Sequence, residues 1–326
     1  MAFFDEWLLL VRNCNVSNTY KMAWAKAITQ IALEMDYSHL RSSNEVEITL
    51  KQIAQKVISY YWDQTIFFNL VQGSNPLKPP RILTLTKRLI EHYQLHAHSY
   101  QPVKFLRANV QELCGDAYVD TVHDVTQALK ADVSYRFTKL AGHDVQGIFQ
   151  YEKGADSLLM PVSNLAALRD NYVTVFEAIN YRWAQILEDY NQSPRICKKV
   201  KIIDEQTVRR KPLKQFAQYL DVENKTHVCF LCGSEIVDET PAIDHVIPWS
   251  FLYSDDLWNL VYAHQSCNSA KSNVVPSEDV IREQEQRNVR LLQALKNNRV
   301  SDKNVSELQL AIERDLVKKF WIASQG

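Results

Sequence analysis

The sequence predicts an α+β protein: a mostly helical N-terminal domain with a small β insertion, then a compact C-terminal unit of two strands and a helix with further helices around it. Three observations carry this expectation. Glycine is scarce, 7 in 326 residues, which argues against an all-β or loop-rich chain. Apolar residues recur at helical spacing through most of the first 190 positions. Between residues 133 and 138 that pattern gives way to strict alternation, the signature of a half-buried strand. At roughly 100 to 200 residues per domain the length suggests two domains, each able to bury a core without disulfides.

The elements follow in order. Tyr20, Trp24, Ala27, Ile28, Ile31 and Met35 mark one helix face. Thr49-Leu-Lys-Gln52 reads as a capping box opening a helix that buries Leu50, Ile53, Val57 and Tyr61. Residues 72–80, rich in Gly, Ser, Asn and Pro, break the chain before a helix from Arg81 with Ile82, Leu85 and Leu89 on one side. Val133, Tyr135 and Phe137 alternate with Ser134, Arg136 and Thr138; Ile148–Tyr151 and Leu158–Met160 are the expected neighbours, a small antiparallel sheet across 133–160. Leu165, Leu168, Tyr172, Phe176, Ile179, Trp183, Ile186 and Tyr190 then predict one long amphipathic helix with Ser163 as its N-cap. Asn191-Gln-Ser-Pro194 ends it, and we place a domain boundary there. Pro276–Asn297 and Asn304–Trp321 read as two C-terminal helices packing on the module before them.

Composition narrows the function classes. Apolar residues make up 46% and charged residues 23%, ordinary for a globular protein. The formal charge of −1 excludes a generally basic nucleic-acid binder, so any such contact must rest on local patches. The segment 195–214 is one: eight basic residues, among them Lys198, Lys199, Lys201, Arg209, Arg210 and Lys211, against Asp204 and Glu205. It reads either as a solvated linker or as a phosphate contact. The apolar run Trp7–Val11 is short and preceded by Asp5 and Glu6, unlike a signal peptide, and no run approaches a membrane span; a cytoplasmic location is the expectation. Cys14, Cys114 and Cys197 are scattered and read as buried small hydrophobes.

The other three cysteines fall in the most informative stretch. Cys229 and Cys232 are two residues apart, and His264 and Cys267 repeat that spacing 32 residues later. Two such pairs of N/S donors match a closed tetrahedral structural zinc. Gly233 stands where a knuckle turn needs positive φ. The segment has no evident large apolar core, so a metal clamp would stabilise it.

A second pattern is interleaved with the first. Residues 241–247 read as a strand delivering Asp244 and His245, residues 258–262 as the returning strand, and Cys267–Lys271 as the start of a short helix. Such a hairpin on a helix brings Asp244 and Asn268 to one point, two hard oxygen donors suited to Mg²⁺ or Mn²⁺. His245 ionises near neutrality and suits a general base. Asn259 is placed to orient the His245 loop, and Lys271 to grip a phosphate. Base, cation and positioning groups are what phosphodiester hydrolysis requires.

This segment resembles the HNH endonuclease family, in the zinc-bearing branch of the ββα-metal superfamily. In that branch the middle Asn is followed at +5 and +8 by zinc ligands and at +9 by the last catalytic residue; here Asn259 is followed by His264, Cys267 and Asn268. Asn268 in place of His makes this an H-N-N variant. The resemblance implies that Asp244 and Asn268 hold the catalytic Mg²⁺ or Mn²⁺, that His245 is the general base and that Asn259 braces its loop. It implies DNA as substrate, with restriction or anti-phage defence as the setting. Residues 1–194 would then be a recognition or partner domain, 195–275 a basic linker and the nuclease module, and 276–326 its helical support. The assignment leaves room for a protein partner such as an ATPase or sensor subunit, and for a homo-oligomer. Two alternatives stay open: a non-catalytic zinc-stabilised DNA-binding or scaffold subunit, and an RNA-directed nuclease.

Overall fold

The computed structural model describes residues 3–38, 44–75, 77–140, 143–191, 193–201 and 212–325. The chain divides into two compact units, the first built from the described residues up to Asn191 with the helix at 196–201, the second from residues 193–195 and from 212 onward. Among the described residues no helix is long and apolar enough to cross a membrane.

The first unit is predominantly helical. Helices α1 (Phe3–Asn13) and α2 (Tyr20–Glu34) lead to strand β1 (Glu45–Thr49), which runs directly into α3 (Leu50–Phe68). The expected capping box is present at this junction. The Thr49 hydroxyl accepts from the Gln52 N–H at 3.2 Å, and the Gln52 amide oxygen accepts from the Thr49 N–H at 2.9 Å. After α4 (Arg81–His96), α5 (Val110–Cys114) and α6 (Asp116–Ala131) come the short strands β2 (Lys139–Leu140), β3 (His143–Asp144) and β4 (Ser157–Pro161). Helices α7 (Val162–Asp170), α8 (Tyr172–Tyr190) and α9 (Ile196–Lys201) complete the unit. Trp7, Trp24, Trp62 and Trp183 are fully buried in its core; each such side chain removes about 150–250 Å² from water.

Three local expectations need correction. The alternating stretch 133–137 is not a strand: Val133–Tyr135 form a 3₁₀ turn, and the Phe137 N–H donates to the Val133 carbonyl at 2.9 Å. Val133 and Phe137 are both buried one helical turn apart, a spacing of four that satisfies helix and strand patterns alike. Leu158–Met160 is a strand, but its partner is β1, with Ile48 opposite Leu158 and Val46 opposite Met160; Gln150 joins through a bridge to Leu159. The long helix predicted from residue 163 is two helices. Asn171 breaks it, its side-chain amide donating to the Ala167 carbonyl at 2.9 Å, the local competition that makes Asn a helix-end residue. Helix α7 starts at Val162 with Pro161 before it, so Ser163 is not its cap.

The second unit places two strands among helices. Helix α10 (Ala217–Glu223) precedes β5 (Ala242–His245), α11 (Trp249–Leu252), β6 (Leu260–Ala263) and α12 (Gln265–Lys271); α13 (Glu278–Asn297), α14 (Lys303–Glu313) and α15 (Leu316–Ser324) follow. The two strands pair antiparallel, Asp244 opposite Val261 and His245 opposite Leu260. The helix expected over 304–321 splits because Asp315 takes a left-handed φ of 52°. The unit also has more apolar core than its sequence suggested. Ile247, Leu252, Leu260 and Val261 pack with Leu291, Leu295 and Leu308 from the C-terminal helices, and Trp258 stacks on Phe320 at 5.9 Å.

Candidate metal centre and active site

The donor atoms of Cys229, Cys232, His264 and Cys267 all lie within 4.8 Å of one another. Around a zinc ion with Zn–S bonds of about 2.3 Å, tetrahedral ligand atoms stand roughly 3.8 Å apart, so this set needs little adjustment to close on one. The knuckle that presents the first pair is a tight hairpin. Gly233 adopts φ +75° and its N–H donates to the Cys229 carbonyl at 2.8 Å, while the Cys229 N–H donates to Ser234 O at 2.8 Å. The ring of His264 turns Nδ1 toward the sulfurs, 3.4 Å from Cys232 Sγ, and Nε2 toward the Glu235 carbonyl at 3.3 Å. An Nε2–H donated to that carbonyl leaves the Nδ1 lone pair for a metal, the usual outer support of a ligating histidine.

Thiol chemistry points the same way. Hydrogen bonds from Ser234 and Cys229 draw the Cys232 thiol down to about 6, whereas loss of hydration, reinforced by the neighbouring sulfurs, pushes Cys267 up to about 11. One thiolate forms readily and opposes the next, so full ionisation of the set calls for a cation among the sulfurs.

The second constellation sits on the adjoining strand. Asp244 and His245 end β5, and β6 holds them in register. The His245 ring is buried, with Nε2 3.0 Å from Asp255 Oδ1. With Nε2–H donated to that carboxylate, Nδ1 keeps the lone pair that a base requires. The backbone just after His245 is fixed by Asn259, itself fully buried: its amide nitrogen donates to Ile247 O and its amide oxygen accepts from Ile247 N–H, both at 2.8 Å. Asn259 in turn is anchored from α13, where Gln284 and Asn288 both donate to the Trp258 carbonyl, at 2.6 and 2.8 Å.

Asn259→Ala removes two buried hydrogen bonds and strands both polar groups of Ile247. A loss of roughly 2–4 kcal/mol is expected, read as a lowered urea midpoint at unchanged slope.

Helix α12 packs beside β5 and carries Asn268 one turn before Lys271, placing the two on the same face. Lys271 is not a free phosphate grip. Its ammonium donates to His245 O at 2.7 Å and lies 2.8 Å from Asp244 Oδ2. Asp244 Oδ2 is buried against that ammonium, so its charge is met by Lys271. The Asp244 carboxylate on β5 and the Asn268 amide on the adjacent α12 are oxygen donors of the kind a hard divalent cation takes.

Of the basic residues proposed for DNA contact, Lys198 and Lys201 are exposed on α9, while Arg209, Arg210 and Lys211 lie outside the described residues. Lys199 must be withdrawn: it is fully buried, its ammonium 5.7 Å from the Phe68 ring centroid. Cys14 and Cys114 are buried as expected, but Cys197 is exposed. Sequence reasoning missed Asp255, which looks like an ordinary loop acid in Ser254-Asp255-Asp256. It also missed Gln284 and Asn288, whose signal was available as polar residues one turn apart on the face of α13 that carries Ile281, Leu291 and Leu295.

Compared with known proteins, residues 232–277 match the HNH endonuclease family. Residues 9–205 match a domain of unknown function, DUF8808. No curated protein and no solved structure matches the chain. With more than half its length in that second match, the chain belongs to the DUF8808 family and carries an HNH endonuclease domain C-terminal to the family domain.

Proposed function

We propose that this protein is a metal-dependent endonuclease that hydrolyses phosphodiester bonds of DNA. The observation that carries the proposal is the pair at the end of β5: Asp244, whose buried carboxylate oxygen faces the Lys271 ammonium, beside His245, with Nε2 held by Asp255. In this reading His245 Nδ1 takes the proton of the attacking water. Asp255 fixes the tautomer and steadies the imidazolium that results. Asn259 keeps the His245 turn from shifting as the charge changes. Asp244 and Asn268 would hold Mg²⁺ or Mn²⁺, which when bound stabilises charge on the scissile phosphate and leaving oxygen. Lys271 neutralises Asp244 and ties α12 to the strand. The zinc ligands hold the ends of the hairpin and supply no chemistry.

The test is nicking or linearisation of a supercoiled plasmid by the full chain with added Mg²⁺ or Mn²⁺, with RNA of matched length as competitor. Cleavage of DNA that requires the added ion is expected. Preferential loss of the RNA would transfer the reading to an RNA-directed nuclease. Binding without cleavage under any metal would leave a non-catalytic zinc-stabilised module. We further propose a cytoplasmic role in restriction or anti-phage defence, on the strength of the family resemblance. Phage plating on cells expressing the wild type against His245→Ala tests it, and equal plating on both rejects it.

A further inference from the structure

The first unit gathers cations around one tyrosine that its own acids neutralise only in part. Around the ring of Tyr135 lie Lys153 Nζ at 4.9 Å, the Arg136 guanidinium at 5.3 Å and Lys139 Nζ at 5.8 Å from the centroid. Only Arg136 has a carboxylate partner among the described residues, Asp132 at 2.9 Å. The electron-rich face of the tyrosine offsets part of the repulsion among three like charges, but it does not cancel their field.

Two clefts open at this cluster. One, of about 580 Å³, is lined by Tyr135, Lys139, Gln146, Gln150 and Tyr151. The other, of about 330 Å³, shares Lys139, takes in Arg136 and adds Lys21. The acids that face them are Asp144 in the first and Asp132 in the second. Asp144 is held by the Thr138 hydroxyl at 2.7 Å, and Asp132 is engaged by Arg136. Lys21, Arg136 and Lys139 line the two adjoining clefts and Lys153 stands over the Tyr135 ring beside them, a row of cations that suits a row of anions better than a single one. Aromatic and amide side chains beside them are the groups that meet bases and sugars. The chain's overall charge is −1, so attraction for a polyanion has to come from a local feature of this kind.

We propose that these clefts are a nucleic-acid site of the DUF8808 domain, in which successive phosphates cross Lys21, Arg136, Lys139 and Lys153 while Tyr135 and Tyr151 face the bases. The choice of polymer rests on the nuclease reading; the site itself does not. It gives the first unit a task separate from the chemistry: holding a strand.

The experiment is fluorescence anisotropy of the full-length protein with labelled duplex DNA, and with RNA of equal length, without added divalent metal and in a His245→Ala background. Lys139→Glu combined with Lys153→Glu should weaken binding at least ~10-fold and flatten the dependence of log K on log salt by about 1.4–1.8 between about 50 and 200 mM KCl, the release expected for two phosphate contacts. Arg88→Glu with Arg107→Glu, both exposed in the same unit and lining neither cleft, should change affinity less than about 2-fold. Tighter binding of RNA with the same loss in the patch variant supports the site and changes its polymer. Wild-type affinity in the patch variant, or an equal loss in the control pair, overturns it. All four substitutions are on exposed residues, and thermal melting checks that the variants are folded. Metal-dependent plasmid cleavage by the otherwise wild-type chain is scored separately. Its absence, with patch-dependent binding intact, rejects the nuclease reading alone.

Discussion

His245→Ala is expected to slow plasmid cleavage by about 10²–10⁴-fold, the range that a positioned general base contributes. Asp244→Ala should cost at least as much, since in the proposed mechanism it removes the carboxylate that would hold the catalytic ion. Asp255→Asn should fall between these and the wild type: an amide keeps an acceptor near His245 Nε2 but loses the charge that steadies the imidazolium, and turnover should drop by about 10-fold with KM unchanged. The grading matters more than any single value. Residues that touch the reacting atoms and a residue that acts only through the imidazole should separate in size and in which kinetic constant they move. Gel quantification of nicked and linear product, with circular dichroism to confirm the fold, reads the series. Robust metal-dependent cleavage surviving in both Asp244→Ala and His245→Ala would sink the mechanism.

Losing the zinc centre should have the largest effect on structure. Structural zinc contributes about 10–16 kcal/mol of apparent binding energy in small modules. Here the apolar packing of the C-terminal helices on β6 remains when the metal goes. Cys229→Ser, which changes the fully buried ligand, should therefore leave part of the second unit folded while the knuckle and α12 come loose. A net loss of about 4 kcal/mol or more lowers the melting temperature of that unit by roughly 15 °C or more at its size. Metal analysis should fall from one zinc per chain to a trace, and calorimetry should show the transition of the second unit moving while that of the first stays. Stoichiometric zinc retained in Cys229→Ser would reject the four-ligand assignment.

How much of this was legible in sequence depended on how local each signal was. The zinc set and the Asp244–His245–Asn259–Asn268 series are fixed by spacing along the chain, and the structure brings the zinc ligands into one cluster. The capping box at Thr49 is equally local. The pairing of β1 with β4 is not: residues 45–49 meet residues 157–161 across more than a hundred positions, and no short-range pattern names that partner. Val133 and Phe137 misled because residues four apart lie on one face of a helical turn and of a strand alike. Asp255 was invisible because its role depends on a loop closing over His245, and an acid in a Ser-Asp-Asp turn carries no mark of what it will face. The burial of Lys199 followed from tertiary packing that overrode a run of basic neighbours.

Helix α12 is only seven residues long, too short to hold itself in place by its own hydrogen bonds. It is about 10 Å from end to end at 1.5 Å per residue. His264 precedes it and Cys267 lies within it, so a metal held by the cluster would grip one end, while Lys271 reaches the strand from the other. With zinc bound there, the helix would be a lever with its pivot at the metal. A tilt of about 5° there swings the far end by close to 1 Å, a displacement large enough to cost an active site ~10²-fold. In the proposed mechanism the stiffness of the sulfur–nitrogen cage would set the angular tolerance of Asn268 and Lys271, and ligand substitutions that keep the metal but soften its geometry should blunt cleavage before they disturb the fold.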